Sequence, residues 1–289
     1  MQLRQSERKR AKIKMALQGS AGSGKTYSSL LLAQGLTNGD FTKIAIIDTE
    51  NGSADLYAHL GQYNVLTLTP PFTPENYMKA IDVCEKARME VIIIDSISHC
   101  WDYLLDYHAS LAGNSFTNWA KITPMQKSFT DRILQCDAHV IATMRTKQDY
   151  VLNQKDGKYI PEKVGLKAVQ KDGLDYEFTI VFDIDIKHFA VSSKDRTGLF
   201  MNKPEFIINS ATGKKILEWC NSGTNLQDAR NKIKECTNLE DLKVLYNQYA
   251  QWRELLEYNF KQQKDAITSQ QHLLNPQNFR NNGSIHYQS

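Results

Sequence analysis

The stretch that decides the fold is GSAGSGKT, residues 19–26, which fits the pattern G-x-x-x-x-G-K-[ST] at every defined position. Glycines in such a loop let backbone N–H groups turn inward around an anion. An apolar run, residues 13–18, precedes the loop, and a leucine-rich helical pattern, residues 26–36, follows it. This order places phosphate oxygens at the positive end of a helix dipole. The residues expected to bind a nucleoside triphosphate are Gly19, Ser20, Ala21, Gly22, Ser23, Gly24, Lys25 and Thr26.

Three side chains at and near this loop have distinct expected roles. Lys25 is placed to reach the β- and γ-phosphates, and the Thr26 hydroxyl to ligate Mg²⁺. A second metal ligand usually comes from a neighbouring strand, and Asp95 follows the buried run 91–94 in this way. At the carboxyl end of a parallel strand it would face the crevice where such sheets bind ligands, although an exposed strand-end aspartate is the alternative. The sequence therefore predicts ATP and Mg²⁺ as cofactors, with Thr26 and Asp95 as metal ligands, but no motif identifies the base.

Strand and helix patterns alternate along the chain, which predicts an α/β fold with a mainly parallel central sheet flanked by helices. The segment 146–173 is polar and lacks a clear period, so we expect a long loop or hairpin there. Three late strands are expected to add an antiparallel edge. Predicted strands are 13–18, 43–50, 90–96, 139–145, 177–186, 188–192 and 205–208. Predicted helices are 26–36, 75–88 and a third near 119–136.

The domain organisation follows from changes in composition. Residues 1–12 form a basic N-terminal arm, residues 13–222 the ATPase domain, and residues 223–270 a small helical hairpin. Capping boxes at Thr224–Gln227 and Thr237–Glu240 indicate where the hairpin helices begin. The last stretch, 271–289, is rich in Asn and Gln and has little to bury, so we expect disorder.

Composition excludes some classes of protein. The net charge of +3 is too small to indicate nucleic-acid binding by itself, and no run of 18 apolar residues is present to span a membrane. The five cysteines are scattered, without a CxxC pair, which is typical of reduced thiols in a cytoplasmic compartment. We therefore expect a cytoplasmic protein.

The run IAIIDTENGSADLYAHLG, residues 44–61, resembles a segment of the RecA family, in which a glutamate after the strand polarises the attacking water. The family's Walker-B strand also ends in Asp-Ser, as Asp95-Ser96 does here. The resemblance implies a RecA-like P-loop fold and makes Glu50 the expected catalytic base. Asp48 competes for the same role, because a base only needs to reach the water.

Two later segments extend the resemblance. HVIATMRTK, residues 139–147, lies where the family has a sensor of the γ-phosphate, and Arg145 or Thr143 takes that place in the absence of the usual glutamine. SKDRTG, residues 193–198, is similar to the Lys-x-Arg-x-Gly element of RadA-like and hexameric-helicase relatives. There, the lysine and arginine reach a neighbouring subunit's nucleotide, so Lys194 and Arg196 become expected catalytic residues of a homo-oligomer. A polar β-turn is the alternative.

Residues 13–220 as a whole resemble phage-type RecA-like ATPases with AAA nucleotide-binding domains, some of which are single-strand-annealing recombination proteins. The resemblance implies single-stranded DNA as a partner and, if a phage encodes the protein, a location in the host cytoplasm. Residues 146–172 contain six lysines with Tyr150 and Tyr159 between them, a pattern that suits contact with a single strand. The same stretch contains four acidic residues, and such mixed charge also fits a solvated loop. The basic residues up to Lys14 are a second DNA candidate or a solubilising leader.

Three functions remain open from the sequence. The first is a recombination, annealing or replication ATPase that acts on single-stranded DNA. The second is a motor or loader ATPase that needs a protein partner, bound through the C-terminal hairpin, although the hairpin's aromatic stripe is more simply core packing. The third is a slow nucleotide switch without direct DNA binding.

Overall fold

The computed structural model describes residues 10–155, 158–223 and 226–274, with side chains there except at 148–166, 251 and 271–274. Residues 11–220 form one compact unit, and the C-terminal helices belong to a second. The strands are β1 (Lys14–Gly19), β2 (Ile44–Asp48), β3 (Asn64–Thr67), β4 (Val91–Asp95), β5 (His139–Lys155), β6 (Lys158–Ala168), β7 (Ile180–Ile184), β8 (Phe189–Asp195) and β9 (Phe206–Ile207). The helices are α1 (Lys25–Leu36), α2 (Pro74–Lys86), α3 (Ser98–Ser110), α4 (Ser115–Gln135), α5 (Ser210–Asn221), α6 (Leu226–Glu235), α7 (Leu239–Gln248) and α8 (Arg253–Leu274).

The described part of the chain forms a central sheet of nine strands in the order β3-β2-β4-β5-β1-β7-β8-β9, with β6 paired to β5. The strands from β3 to β7 in that order run parallel. Of the three late strands expected to form an antiparallel edge, β8 and β9 do so, whereas β7 pairs parallel to β1. The predicted fold class, α/β with a mainly parallel sheet and flanking helices, is confirmed.

Strands β2 and β4 are buried at every position, and apolar up to the aspartate that ends each of them, because both faces of the sheet are covered. In β2, Ile44 and Ile46 belong to one buried cluster with α1, whereas Ala45 and Ile47 belong to another with α2. Strand β4 divides in the same way between the two clusters. Buried parallel strands carry continuous aliphatic runs for this reason, which is the pattern used to predict them.

Helices α1 and α5 approach so closely that their backbones touch. A Cβ added to Gly35 of α1 would lie 2.1 Å from the carbonyl oxygen of Ser210, and one added to Gly213 of α5 would lie 2.2 Å from that of Leu32. Only glycine fits at such a contact. The contact fixes the helix that follows the phosphate-binding loop against the first cluster.

Three elements were not predicted from the sequence: β3, α3 and α5. Strand β3 has four residues, all at least partly exposed at the edge of the sheet, so it lacks the buried pattern. Helix α3 is rich in aromatic residues, and α5 has only four buried residues. The segment 146–173, predicted as a loop or hairpin, contains most of the antiparallel β5–β6 hairpin.

The basic residues near the N-terminus divide into two groups. Lys14 is buried in β1, and its ammonium donates to the carbonyl oxygens of Cys136 and Ala138 at 2.6 and 2.5 Å. The interpretation of Lys14 as part of a DNA-binding arm or leader is therefore wrong, because its side chain is buried and bonded to the backbone. The predicted arm otherwise lies outside the described residues as far as residue 9.

The C-terminal unit is helical, as predicted, but its described residues, 226–274, form three helices instead of the two of a hairpin. A short 3₁₀ turn, Ala250–Trp252, separates α7 from α8. The cap of α7 is Asn238, whose side chain accepts from the backbone N–H of Asp241 at 2.8 Å, instead of the predicted Thr237. Asparagine is the somewhat better N-cap of the two. The predicted cap at Thr224 lies outside the described residues, as does most of the expected tail.

All five cysteines are buried, and none of them is in a disulfide bond. Among the helices that the structure describes, none combines the length and the apolar character needed to cross a bilayer.

Candidate nucleotide-binding and catalytic site

The register of the parallel strands brings the predicted residues to one edge of the sheet. Asp48 at the end of β2 is paired with Asp95 at the end of β4. Gly19, the last residue of β1, is paired with Arg145 on the neighbouring β5. The carboxyl ends of parallel strands are where such folds bind ligands.

The phosphate-binding loop connects β1 to α1 in a conformation that needs its glycines. Gly22 and Gly24 have φ values of 79° and 86°, in the left-handed region that favours glycine. The Lys25 ammonium donates to the carbonyl oxygens of Gly19 and Ser20, both at 2.9 Å. Burial lowers the pKa of Lys25, although the carboxylates of Asp95 and Glu50 counteract part of this effect. The lysine thus lies folded back over the loop that is expected to hold phosphate.

Thr26 and Asp95 meet as the predicted metal ligands require. The Thr26 hydroxyl donates to Oδ2 of Asp95 at 2.5 Å, and the buried Thr143 hydroxyl donates to Oδ1. Burial raises the pKa of Asp95, and the two hydroxyl groups act in the opposite direction. Thr143 is thereby engaged with Asp95, which leaves Arg145 as the exposed candidate for contact with phosphate.

Glu50 lies beside Arg145 at the same edge. The Arg145 guanidinium donates to both carboxylate oxygens, with Nε 3.0 Å from Oε1 and Nη2 in contact with Oε2, and the Ser96 hydroxyl donates to Oε1 at 3.0 Å. The Glu50 side chain is 23% exposed. Burial alone would raise the pKa of Glu50, but Arg145 and Ser96 outweigh it, so the pKa lies below its ordinary value. Glu50 is therefore an ionised carboxylate held at the rim of the site.

Asp48, the competing candidate for the base, has a different environment. It is 1% exposed. Its Oδ1 accepts from the backbone N–H of Glu50 at 2.6 Å, and its Oδ2 from that of Ala54 at 3.1 Å. Both oxygens thus hold the turn that carries Glu50, which favours Glu50 as the base and Asp48 as its structural support.

Sequence reasoning missed a neighbouring group around His99. The Nδ1 atom of His99 lies 2.8 Å from the Thr49 hydroxyl, and its ring stacks on Phe72 with centroids 4.9 Å apart. The Thr49 hydroxyl also accepts from the backbone N–H of Ser96 at 2.9 Å. Burial and the nearby Arg145 lower the pKa of His99. Its only sequence signal is its place in α3 just after the Asp95-Ser96 pair.

A family model described as an AAA domain matches residues 11–219, more than half of the chain. The chain belongs to this AAA-domain family. Members of the family are generally P-loop ATPases, which agrees with the loop at residues 19–26 and with its neighbours at the sheet edge. No curated protein sequence matches the chain.

The AAA domain has a cavity of about 520 Å³ beside its phosphate-binding loop. Sequence reasoning did not find the cavity, because its walls come from segments far apart in the chain. The His188 ring lies against Gly24, and its Nδ1 donates to the carbonyl oxygen of Ser23 at 3.0 Å. Tyr27 and Tyr57 lie with ring centroids 5.7 Å apart. Besides loop residues, the lining includes Tyr27, Tyr57, His188, Ile207 and Ile208.

Lys194 and Arg196 lie away from the phosphate-binding loop of their own AAA domain. Lys194 is paired with Val181 near the start of β7, whereas the loop is next to Ile184 at the other end of that strand. Both side chains donate to the carbonyl oxygen of Tyr176, Arg196 through Nη2 at 2.7 Å. Their action on a neighbouring subunit's nucleotide stays a prediction.

Proposed function

We propose that this AAA domain is a RecA-like, Mg²⁺-dependent ATPase that acts on single-stranded DNA in phage-type recombination, annealing or replication. The observation that carries the ATPase proposal is the meeting of Thr26, Asp95, Glu50 and Arg145 at the carboxyl edge of the sheet, next to Lys25. Lys25 supplies a positive charge for phosphate, and Thr26 and Asp95 supply two metal ligands. Glu50 supplies a base, which is paired with Arg145.

Lys25 is the residue that changes partners when phosphate binds. Its ammonium donates to two loop carbonyl oxygens, and phosphate oxygens carrying negative charge are stronger acceptors than these neutral groups. The backbone N–H groups of the loop and the start of α1 supply further donors.

Thr26 and Asp95 fit Mg²⁺, a hard cation that usually takes one or two protein oxygens and completes its shell with phosphate and water. The bound metal would neutralise charge on the β- and γ-phosphates. The hydrogen bond from Thr143 orients the Asp95 carboxylate towards Thr26. Asp95 is buried, so a bound cation would also offset its cost of ionisation.

Glu50 has the chemistry of a general base for hydrolysis. It is ionised, partly exposed and fixed on a turn that Asp48 holds by two backbone hydrogen bonds. A positioned base contributes roughly 10²- to 10⁴-fold to such reactions. In the absence of nucleotide, the Arg145 guanidinium is paired with the Glu50 carboxylate. The more negative γ-phosphate would compete for this guanidinium and release Glu50 to act as a base.

The neighbouring cavity suits the nucleoside part of ATP. Its volume of about 520 Å³ lies within the range of small-molecule sites. Tyrosine rings and isoleucine side chains offer apolar surfaces to a base, while Gly22 and Gly24 of the loop lie at its phosphate end.

The DNA part of the proposal rests on the RecA-like resemblance and on the position of the β5–β6 hairpin. The hairpin begins at Thr146, directly after Arg145, and its return strand ends at Ala168. The N–H of Val169 then donates to the carbonyl oxygen of Arg145 at 2.7 Å, so both ends of the hairpin adjoin the residue that holds Glu50. A strand bound along the hairpin would thus act close to the catalytic base. The side chains of 148–166 lie outside the described residues.

The ion pair between Arg145 and Glu50 also favours a second function, a slow nucleotide switch. A base that is already paired with a guanidinium is a poorer proton acceptor, because the pairing lowers its pKa. Such a protein would bind ATP tightly and hydrolyse it slowly until a partner removed Arg145 from Glu50.

The deciding experiment is ATP hydrolysis by the full chain, with and without single-stranded DNA, and with Lys25→Ala as the blank. Stimulation by DNA that weakens as salt rises supports the first function. A slow rate that DNA does not change, together with ATP binding, supports the switch or a partner-dependent motor. Equal turnover by Lys25→Ala would reject the ATPase proposal itself.

A further inference from the structure

The C-terminal unit contains a groove of about 550 Å³ between α7 and α8. Each helix lines it with four residues at the spacing i, i+3, i+4 and i+7, which places their side chains on one face. We refer to it as the basic groove. Its apolar part consists of Leu239, Leu242, Tyr246 and Phe260.

The floor of the basic groove is closed, and its apolar surface continues up to the edge. Leu242 and Phe260 are only 6% and 7% exposed and belong to the core of the unit. Leu239 and Tyr246 are 39% and 42% exposed at the rim. Apolar surface that lines a concavity and is bordered by charge marks an interaction site more often than single exposed residues do.

The charged residues around this apolar floor are mostly of one sign. Three exposed lysines, Lys243, Lys261 and Lys264, line the groove with one carboxylate, Glu257. Within the part of the chain that the structure describes, none of the three lysines forms an ion pair. A positive rim around an apolar floor complements a partner that carries carboxylates next to apolar side chains.

We propose that the basic groove binds an acidic peptide segment of another protein. Apolar side chains of the peptide enter between α7 and α8, and its carboxylates meet the three lysines. This arrangement is the common mode in which a groove between helices takes a short amphipathic segment. The inference concerns the C-terminal unit and does not depend on the ATPase proposal.

Tyr246 argues against single-stranded nucleic acid as the occupant. Binding of single strands relies on free aromatic faces on which bases stack. The Tyr246 ring is already covered by the Arg253 guanidinium, 4.5 Å from its centroid, and packs edge-to-face with Phe260 at 5.1 Å. A second copy of the chain fits less well too, because two-fold pairing of the groove with itself would bring lysines against lysines.

The test is fluorescence anisotropy of the full chain with a labelled peptide in which aspartates flank a Leu-Phe pair. Lys243→Glu and Lys261→Glu should each weaken binding by at least about fivefold, since a charge reversal replaces an attraction with a repulsion. The matched control is Lys234→Glu, an exposed lysine on α6 outside the groove, which should bind the peptide like the unchanged protein. All variants should retain their circular dichroism spectrum and ATP hydrolysis.

Two control peptides examine the two halves of the proposal. Replacing the aspartates by asparagines, or the Leu-Phe pair by alanines, should each reduce binding strongly. Full binding of the alanine peptide would mean charge attraction without the apolar groove, and would overturn the proposal. So would unchanged binding by both groove variants, displacement of the peptide by an oligo-dT strand, or self-association of the chain that Lys261→Glu abolishes.

Discussion

The guanidinium of Arg145 donates hydrogen bonds to both carboxylate oxygens of Glu50, which lies 95 positions away in the sequence. Arg145 is the last residue of β5 that is paired with β1, and Glu50 follows the end of β2. The catalytic candidate and the phosphate-sensing candidate are thus one ion pair at the edge of the sheet. Anything that changes one of them changes the other.

Arg145→Ala should raise the pKa of Glu50, because the guanidinium is the main group that opposes the effect of burial on this carboxylate. The acid limb of the pH–rate profile for ATP hydrolysis should therefore move to higher pH. If Arg145 also contacts the γ-phosphate, the variant should lose affinity for ATP but keep its affinity for ADP. An acid limb that does not move would show that Glu50 is not the group that titrates in catalysis.

Glu50→Gln and Asp48→Asn should separate the two neighbouring carboxylates. Glu50→Gln should retain ATP binding and lose roughly 10²- to 10⁴-fold in turnover, the usual contribution of a general base. Asp48→Asn should instead lower the free energy of unfolding by about 1–3 kcal/mol, because its amide cannot accept from both backbone N–H groups. Single-turnover hydrolysis and urea unfolding of both variants measure the two effects. If Asp48→Asn keeps full stability and loses turnover, the roles are reversed.

The sequence predicted the chemistry at the ends of the strands but not the contacts between them. Gly19, Asp95 and Arg145 could be placed at one edge because parallel strands share a direction. The partners of these residues depend on register and side-chain reach, which no local pattern encodes. Thr143 is an example: it was an alternative phosphate sensor by its position, yet its hydroxyl is bound to Asp95.

The same limit applies to the cavity beside the loop and to the basic groove. Tyr57 lies in a 3₁₀ helix, Ser53–Leu60, and His188 in a loop 131 positions further along the chain, and neither has a motif around it. In the C-terminal unit, the aromatic stripe was visible, but its Tyr246 lies at a rim while Tyr249 is buried. Periodicity identifies a helix face, and packing decides which of its residues are covered.

His139 should make the stability of the AAA domain depend on pH. Burial, together with Lys12 and Lys14, lowers the pKa of His139 to about 3, and its Nδ1 accepts from the backbone N–H of Ile13 at 3.0 Å. The unfolded chain binds a proton near pH 6.5, whereas the folded chain does so only near pH 3. The contribution of His139 therefore leaves the free energy of unfolding unchanged above about pH 6.5. Below that pH it lowers the free energy of unfolding by roughly 1.4 kcal/mol per pH unit, until the folded pKa is reached.

His139→Asn keeps an acceptor near Ile13 and removes the titrating ring. Urea unfolding between pH 7 and pH 4 should show a weaker dependence on pH for this variant than for the unchanged chain. His59→Asn is the matched control, because it makes the same substitution at an exposed position. If the free energy of unfolding has the same slope against pH in all three proteins, the pKa of His139 is not lowered by folding.

Arg196→Ala tests whether the active ATPase is an oligomer in which one subunit completes the site of the next. Arg196 lies at the opposite end of β7 from the phosphate-binding loop of its own chain, so its loss should leave nucleotide binding by that chain intact. It should remove hydrolysis only where hydrolysis requires assembly, because the lost guanidinium would neutralise charge during phosphoryl transfer. Mixing Arg196→Ala subunits with Lys25→Ala subunits should then restore part of the activity, since each supplies the group that the other lacks.

The loss of the hydrogen bond to Tyr176 costs about 1 kcal/mol of stability, and Arg196→Lys, which retains a donor, controls for it. Mixtures with no more activity than either variant alone would leave Arg196 with the local role that its contact with Tyr176 already gives it.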